Sequence, residues 1–336
     1  MPTTYPSAKR FLNLSVETTQ GTAVLTSPVT APVNDFLPED KPKELIDAAL
    51  RGSMVEEYGL IQGPKHAEWS IPDSPCFIDV LGYFLKNILG DLTTTGAGPD
   101  YTHAFSVLNS GTGQPGSLTL AQWQGLPTNN ARVYPGSCLS ELTIKANAET
   151  SLIEWSAKGM SWPSADASGA ITSSPSVASP LAAWRYVLGI GGPASGGTQV
   201  LTTNEWSLTI ARKLRVQHTG QNTQNPFIIQ RGPVSMSGSI NFSKPSDEAA
   251  LDYMLNNTQP QLQIVATNGL AGASLLSLQI DCQVAAFNTS KISFSEEAIG
   301  YATTFKALAN TTNAGASGGR SPGKITIGSA ITTYGG

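Results

Sequence analysis

The chain has 336 residues, a net charge of −4 and only 13% charged side chains beside 40% hydrophobic ones. Its charge content is about half the ~25% usual for globular proteins, and its acidic balance excludes a sequence-independent nucleic-acid binder, which needs a basic face to displace counterions. Cys76, Cys138 and Cys282 include no C-x-x-C pair, which excludes a disulfide framework and fits thiols buried in a reducing cytoplasm. The longest apolar stretch, residues 77–89, is broken by Asp79 and Lys86 and falls short of the ~20 residues of a membrane span. Residues 1–10 lack the apolar core of a signal peptide, so the chain is expected to be soluble and cytoplasmic when made. Residues 1–168 hold 17 acidic and 10 basic residues, and residues 169–336 hold 7 and 10. Halves of opposite sign favour head-to-tail contacts.

Most of the chain alternates with period two, the pattern of strands with one buried face. Leu12, Leu14 and Val16 begin it. Residues 21–58, rich in proline and charge, then read as a long loop. A strand is expected at residues 65–71, then a helix over residues 74–89 in which Phe77, Leu81, Phe84, Leu85 and Ile88 form one stripe. Ser74 is its expected cap and Gly90 its terminator. Strands follow at 101–108, 117–124, 140–146 and 152–158. After a Ser/Ala/Pro linker, Trp184, Tyr186 and Leu188 run into a Gly-rich turn at 189–197. Strands at 205–211 and 234–242 precede a second helix, with Ser246 as cap and Asp247 and Glu248 in its first turn. Strands at 261–266, 274–284, 291–294 and 298–307 close the series, with Asn268-Gly269 reading as a type I′ hairpin turn.

The expected fold is mainly β with one flanking helix per unit, in two tandem copies. Residues 1–165 form unit 1, 166–180 a linker, 181–310 unit 2, and 311–336 a Gly/Ser-rich arm. Gly116-Ser117-Leu118-Thr119-Leu120 echoes Ser277-Leu278-Gln279-Ile280, and Leu139-Ser140-Glu141 echoes Phe294-Ser295-Glu296.

No motif makes a convincing active site. His66-Ala67-Glu68 with Pro75-Cys76 is half of a zinc-deaminase signature, with Asp79 where the second cysteine belongs. Residues 318–324 match a phosphate-binding loop, but Ile325 replaces the magnesium-holding hydroxyl. Residues 315–319 fit G-x-S-x-G with no histidine after them. Glu56-Glu57, Asp247-Glu248 and Glu296-Glu297 are neighbours, not acids facing across a cleft. The one basic cluster, Arg212-Lys213-Leu214-Arg215, reads as an exposed loop. No catalytic, cofactor-binding or metal-ligating residue is assigned.

The order of these features resembles the tail tube proteins of siphophages. The resemblance rests on Glu17-Thr18-Thr19-Gln20-Gly21-Thr22 after the first strand, the acidic and proline-rich loop, and the helix ending Leu85-Lys86-Asn87-Ile88-Leu89-Gly90. Tyr101-Thr102-His103-Ala104-Phe105, Ser117-Leu118-Thr119-Leu120 and Ile229-Gln230-Arg231-Gly232 continue it. The resemblance covers residues 10–310. It implies a non-enzymatic, tail-tube-type β-sandwich or barrel unit, six of which form a ring around a channel, with rings stacked into a tube that genomic DNA traverses. Three duplicated chains or six single ones would close such a ring. Itself is then the main partner, with the tape measure protein and DNA passing transiently through the lumen and terminator and baseplate proteins at the ends. The place would be the virion tail, with no membrane. Inter-ring contacts are expected from Glu39, Asp40, Lys41, Lys43 and Glu44 in the long loop, and from Ile325, Ile327 and Tyr334 in the C-terminal arm. A carbohydrate- or ligand-binding β-sandwich, recruiting Trp123, Trp155, Trp162 and Trp206, is the main alternative. A minor tail or baseplate protein of the same fold is the other.

Overall fold

Leu142, Ile144 and Ala146 lie on one strand and Trp206, Leu208 and Ile210 on its neighbour, and all six point their apolar side into one core. The same alternation places the strands on both sides of that core. The computed structural model describes residues 7–26, 28–49, 51–124, 131–149, 152–176, 178–243, 249–294 and 299–335.

In chain order the first half contains β1 (Leu12–Val16), β2 (Val29–Ala31), β3 (Leu37–Asp47), β4 (Gly59–Pro75), α1 (Ile78–Leu89), β5 (Gly90–Ala97) and β6 (Asp100–Val107). It ends with β7 (Leu118–Trp123), β8 (Ala131–Asn147), β9 (Glu154–Ser161) and β10 (Ala165–Asp166). The second half contains β11 (Tyr186–Ile190), β12 (Gln199–Val200), β13 (Thr203–Gln217), β14 (Ile228–Phe242), α2 (Ala249–Leu255) and β15 (Leu262–Thr267). It closes with β16 (Ser277–Cys282), β17 (Ala285–Phe294), β18 (Ile299–Ala307) and β19 (Lys324–Ser329).

These strands form a 12-stranded and a 7-stranded antiparallel sheet, packed as a β-sandwich; neither closes on itself within the chain. α1 is buried along its apolar stripe between β8 of the large sheet and β5, β6 and β19 of the small one. Its first residue is Ile78 and its cap is Phe77, not Ser74. Pairing of β4 with β9 continues to Pro75 opposite Glu154, so Ser74 is held in a strand. Gly90 ends the helix as expected, with φ of 96°. α2 packs on β17; its expected cap and first-turn acids, Ser246, Asp247 and Glu248, lie outside the described residues.

Eight strands of the large sheet run in the order β3-β4-β9-β8-β13-β14-β18-β17. They form two sets of four, β3-β4-β9-β8 and β13-β14-β18-β17, joined where β8 pairs with β13. Both sets carry the same two irregularities. The register of β3 on β4 slips between Pro42 and Glu44, and that of β13 on β14 between Arg212 and Leu214. The register of β8 on β9 slips between Leu139 and Glu141, and that of β17 on β18 between Phe287 and Thr289. A bulge bends a strand at a fixed place, so Pro42 corresponds to Arg212, and Leu139 to Phe287.

This correspondence corrects the alignment drawn from the sequence. The counterpart of β13 is β3, which lies inside the segment expected to be a loop; β1 instead pairs with β2 and β7. Leu139 answers Phe287 and not Phe294, and Ser295 and Glu296 lie outside the described residues. β16 follows α2 and β15 as β6 follows α1 and β5, so its likeness to the start of β7 is coincidental. The small sheet, ordered β12-β11-β15-β16-β19-β6-β5, does not repeat, because β19 inserts between β16 and β6.

Two further expectations change. Residues 166–180, expected as a linker, are packed on the first half: β10 pairs with β8, and Ala167 and Ile171 are buried against Ala121 and Val133. Asn268-Gly269 does not form a two-residue turn. Asn268 instead spans a wider loop, its Oδ1 accepting from the amides of Leu270 and Leu276 and its Nδ2 donating to the Ser274 carbonyl.

Candidate assembly surfaces

Residues 21–58 supply an arm. Outward of Ala67, β4 has no partner in β9 and pairs only with β3, so the two strands project as a hairpin. Beyond the bulge Leu45, Ile46, Leu60 and Ile61 are all exposed, as are Met54 and Val55 near its tip. Glu39, Asp40, Lys41, Lys43 and Glu44 lie on β3 at the base and middle of this hairpin. Lys41 Nζ pairs with Glu39 Oε1 at 2.5 Å on one face. Asp40, on the other, accepts from the amide and hydroxyl of Ser164 at 2.8 and 2.6 Å. Lys43 and Glu44 are exposed.

The C-terminal residues are placed differently. Ile325 and Ile327 sit in β19 between Phe105 and His103 of β6 and Ile280 and Leu278 of β16, with no exposed surface. Tyr334 is equally buried; its hydroxyl lies 3.1 Å from Ser329 Oγ and 3.2 Å from the Ile78 carbonyl, and Lys86 Nζ donates to the Gly335 carbonyl. The segment expected to reach a neighbour is spent on the chain's own core. Isoleucines spaced two apart carry the same signal whether a strand pairs within the chain or outside it.

Two polar locks join the halves. Glu17 is buried, and its carboxylate accepts from Ser117 Oγ, Thr119 Oγ1 and the amides of Gly21 and Gly136 at 2.6–3.0 Å. Burial pushes its pKa above the ordinary value, and those bonds pull it back. The turn so fixed aims Gln20 at the seam between the halves, where its Nε2 donates to Cys138 Sγ on β8 of the first and to the Ile229 carbonyl on β14 of the second. The second lock is Arg212 with Arg231. Arg212 donates to the carbonyls of Ile88, Gly113 and Gly232 at 2.7–3.0 Å, capping the end of α1. Arg231 donates to Pro115, Gly116 and Cys138 Sγ. Burial, with Arg231 alongside, lowers the Arg212 pKa to about 10. The basic cluster is therefore a bulge buried at Arg212 and not an exposed loop. The clue in the sequence was Glu17-Thr18-Thr19-Gln20-Gly21, an acid and an amide flanking a turn.

The remaining motifs do not assemble chemistry. Lys324 opens β19 instead of a helix, so residues 318–324 form no amide cradle. Ser317 donates its hydroxyl to the Val107 carbonyl and its amide to Asp91. His66 lies 3.8 Å from Glu68, and among the described residues no cluster of three His, Cys, Asp or Glu could hold a metal. Asp247, Glu248, Glu296 and Glu297 lie outside the described residues. Trp155, Trp162 and Trp206 are buried, and Trp123 stacks on Phe11.

Two features remain open. Among the described residues the outer edges of β3 and β17 are unpaired. The face of the large sheet turned away from the core carries hydroxyl pairs, Thr143–Thr209, Ser207–Ser239 and Thr289–Thr304, at 2.6–3.0 Å. Two of its lysines are matched by acids: Lys145 with Asp73 and Glu154, Lys158 with Glu141.

A family model described as phage tail tube protein matches residues 7–327. No curated protein matches the chain. No helix among the described residues is long and apolar enough to cross a membrane.

Proposed function

The chain belongs to the phage tail tube protein family, a structural component of the virion tail, and from that premise we propose that three copies close into a ring of six four-stranded sets. The observation that carries this reading is the repeated strand order. The β8–β13 joint meets the end of one set with the start of the next, and the free edges of this eight-strand run, β17 and β3, are those same two positions. Joining them around a ring removes both edges, which would otherwise invite uncontrolled pairing. Rings stack through the tip of the β3–β4 hairpin, where the exposed Met54 and Val55 reach the next ring.

The uncovered face of the large sheet then lines the channel. Its hydroxyl ladder is neutral and Lys145 and Lys158 are already paired with acids, so phosphates find little to hold and DNA slides through. The tape measure protein would occupy the same channel before DNA, with terminator and baseplate proteins closing the ends. The role needs no catalytic step.

End-on electron micrographs of the purified chain, with native mass spectrometry of single rings, test this. Three chains per ring with six-fold-like end views are expected. Rings of six chains, or a stable monomer at high concentration, would overturn it.

A further inference from the structure

We infer that the β8–β13 joint inside the chain is a residue-by-residue template for the joint between chains, and that it pairs Lys291 of one copy with Glu39 of the next. The inference rests on the ring reading above and adds the register and the contacts to it.

The two bulges carry the correspondence along each strand. Pro42 stands for Arg212 and Lys65 for Val234, because these pairs flank the same slip. Phe287 stands for Leu139 on the same ground. Counting from these anchors, Glu39 stands for Thr209 and Lys291 for Thr143. Thr143 and Thr209 are directly opposed in the internal joint, their hydroxyls 3.0 Å apart. The same spacing between chains places an ammonium across from a carboxylate, a favourable cross-strand pair. Lys41 already touches Glu39, so the acid would sit between two lysines.

The neighbouring positions agree. Leu142, Ile144 and Ala146 of the internal joint are buried, whereas two of their counterparts, Ile292 and Phe294, are 52% and 76% exposed. Opposite them in the template stand Pro38 and Phe36. Pro38 has no amide hydrogen for Ile292. The Ala148 amide donates to the Asn204 carbonyl, which makes even-numbered β13 residues the ones that bond to β8. Pro38 therefore turns its missing donor outward, and the joint forgoes one ladder bond. Sliding the neighbour two residues toward Pro42 would forgo two, so the prolines also select the register.

A second contact follows from the hairpins. In the chain, Ile229 is 1% exposed, packed with Cys138, Trp162, Met160, Leu214 and Val216. The counterparts of Ile229 and Val216 are Leu60 and Ile46, 58% and 53% exposed; that of Trp162 is Leu308, 38% exposed. The β3–β4 hairpin of one copy thus covers Leu308 and Ala286 of the preceding copy, as the β13–β14 hairpin covers the first half of its own chain. A second copy of this chain is the occupant that the template specifies.

Cysteine pairs on the assembled full chain test the register, since Cys76, Cys138 and Cys282 are buried. Lys291→Cys with Glu39→Cys should oxidise to a covalent ring, because this pair occupies a close, non-hydrogen-bonded position. Thr289→Cys with Glu39→Cys should not. Lys291→Glu alone should raise the concentration needed for assembly about tenfold, equivalent to 1.4 kcal/mol, and Glu39→Lys added to it should restore assembly. Leu60→Asp and Leu308→Asp should each do likewise while leaving the monomer's circular dichroism unchanged. Cross-linking through Thr289 instead of Lys291, or no rescue by the double charge swap in a chain whose rings are visible, would overturn the register and leave the ring reading standing. Absence of rings from the unmodified chain would overturn both.

Discussion

Gly82, in the middle of α1, faces the ring of Tyr334 so closely that a Cβ at position 82 would overlap it. The ring also meets Tyr83 edge-on at 5.1 Å and His103 at 4.7 Å. Gly82→Ala should therefore lower stability by ~1–3 kcal/mol through overpacking. Tyr334→Ala should lower it by ~3–5 kcal/mol through the cavity left behind, and Tyr334→Phe by about 1 kcal/mol for its hydroxyl bonds. Urea unfolding midpoints rank the three.

Removing residues 313–336 takes β19 out from between β6 and β16. The expected product is an insoluble or partly unfolded chain, checked by circular dichroism and gel filtration. A truncated chain that folds normally and only fails to form tubes would return the tail to an assembly role.

Glu17→Gln keeps one acceptor oxygen where four donors converge. Two buried donors then lose their partner, at ~1–3 kcal/mol each. Thermal unfolding should show this loss, and limited proteolysis should open the turn at residues 18–22 first.

His103 has no exposed surface, and its Nε2 lies 2.7 Å from the Ile331 carbonyl, so Nε2 carries the proton. Nδ1 then accepts from Thr94 Oγ1 at 2.9 Å. Burial lowers its pKa, against the pull of the Ile331 bond. A lowered histidine pKa contributes stability that is full above the unfolded value of ~6.5 and is lost as pH falls through the folded one. The melting temperature should drop on acidification below ~6.5, and His103→Gln should flatten that dependence.

Replacing residues 48–58, which carry the exposed Met54 and Val55, by a tight turn removes the hairpin tip and leaves β3 and β4 with Ile46 and Leu60 in place. Such a chain should still close into rings but should not stack them, as seen in side-view micrographs.

Much of this architecture was legible in the chain itself. Leu142, Ile144, Leu208 and Ile240 alternate because each has one face on the core, and the α1 stripe is read directly from its spacing. β3 was not legible. Its Pro38-Glu39-Asp40-Lys41-Pro42 run has no buried face within the chain beyond its base, so no periodicity marks it, and prolines are tolerated because the edge is free. The start of α1 was missed because pairing with Glu154, a contact 79 residues away in sequence, keeps Ser74 and Pro75 extended. The interchangeable sets were hidden for a different reason: bulges sit in backbone register, and Pro42 shares nothing chemically with Arg212. Of the expected assembly residues, the charged ones on β3 are near a free edge, whereas Ile325, Ile327 and Tyr334 are interior.

The β8–β13 joint also changes the kinetics of assembly. Every second seam of the proposed ring is closed when the chain folds, at the effective concentration of one molecule for itself. Only three bodies must then meet, so the nucleus depends on the third power of concentration where six separate units would give the sixth. At low concentration the chain would still form complete rings, and dilution would dissolve them less readily than a ring whose seams are all between molecules.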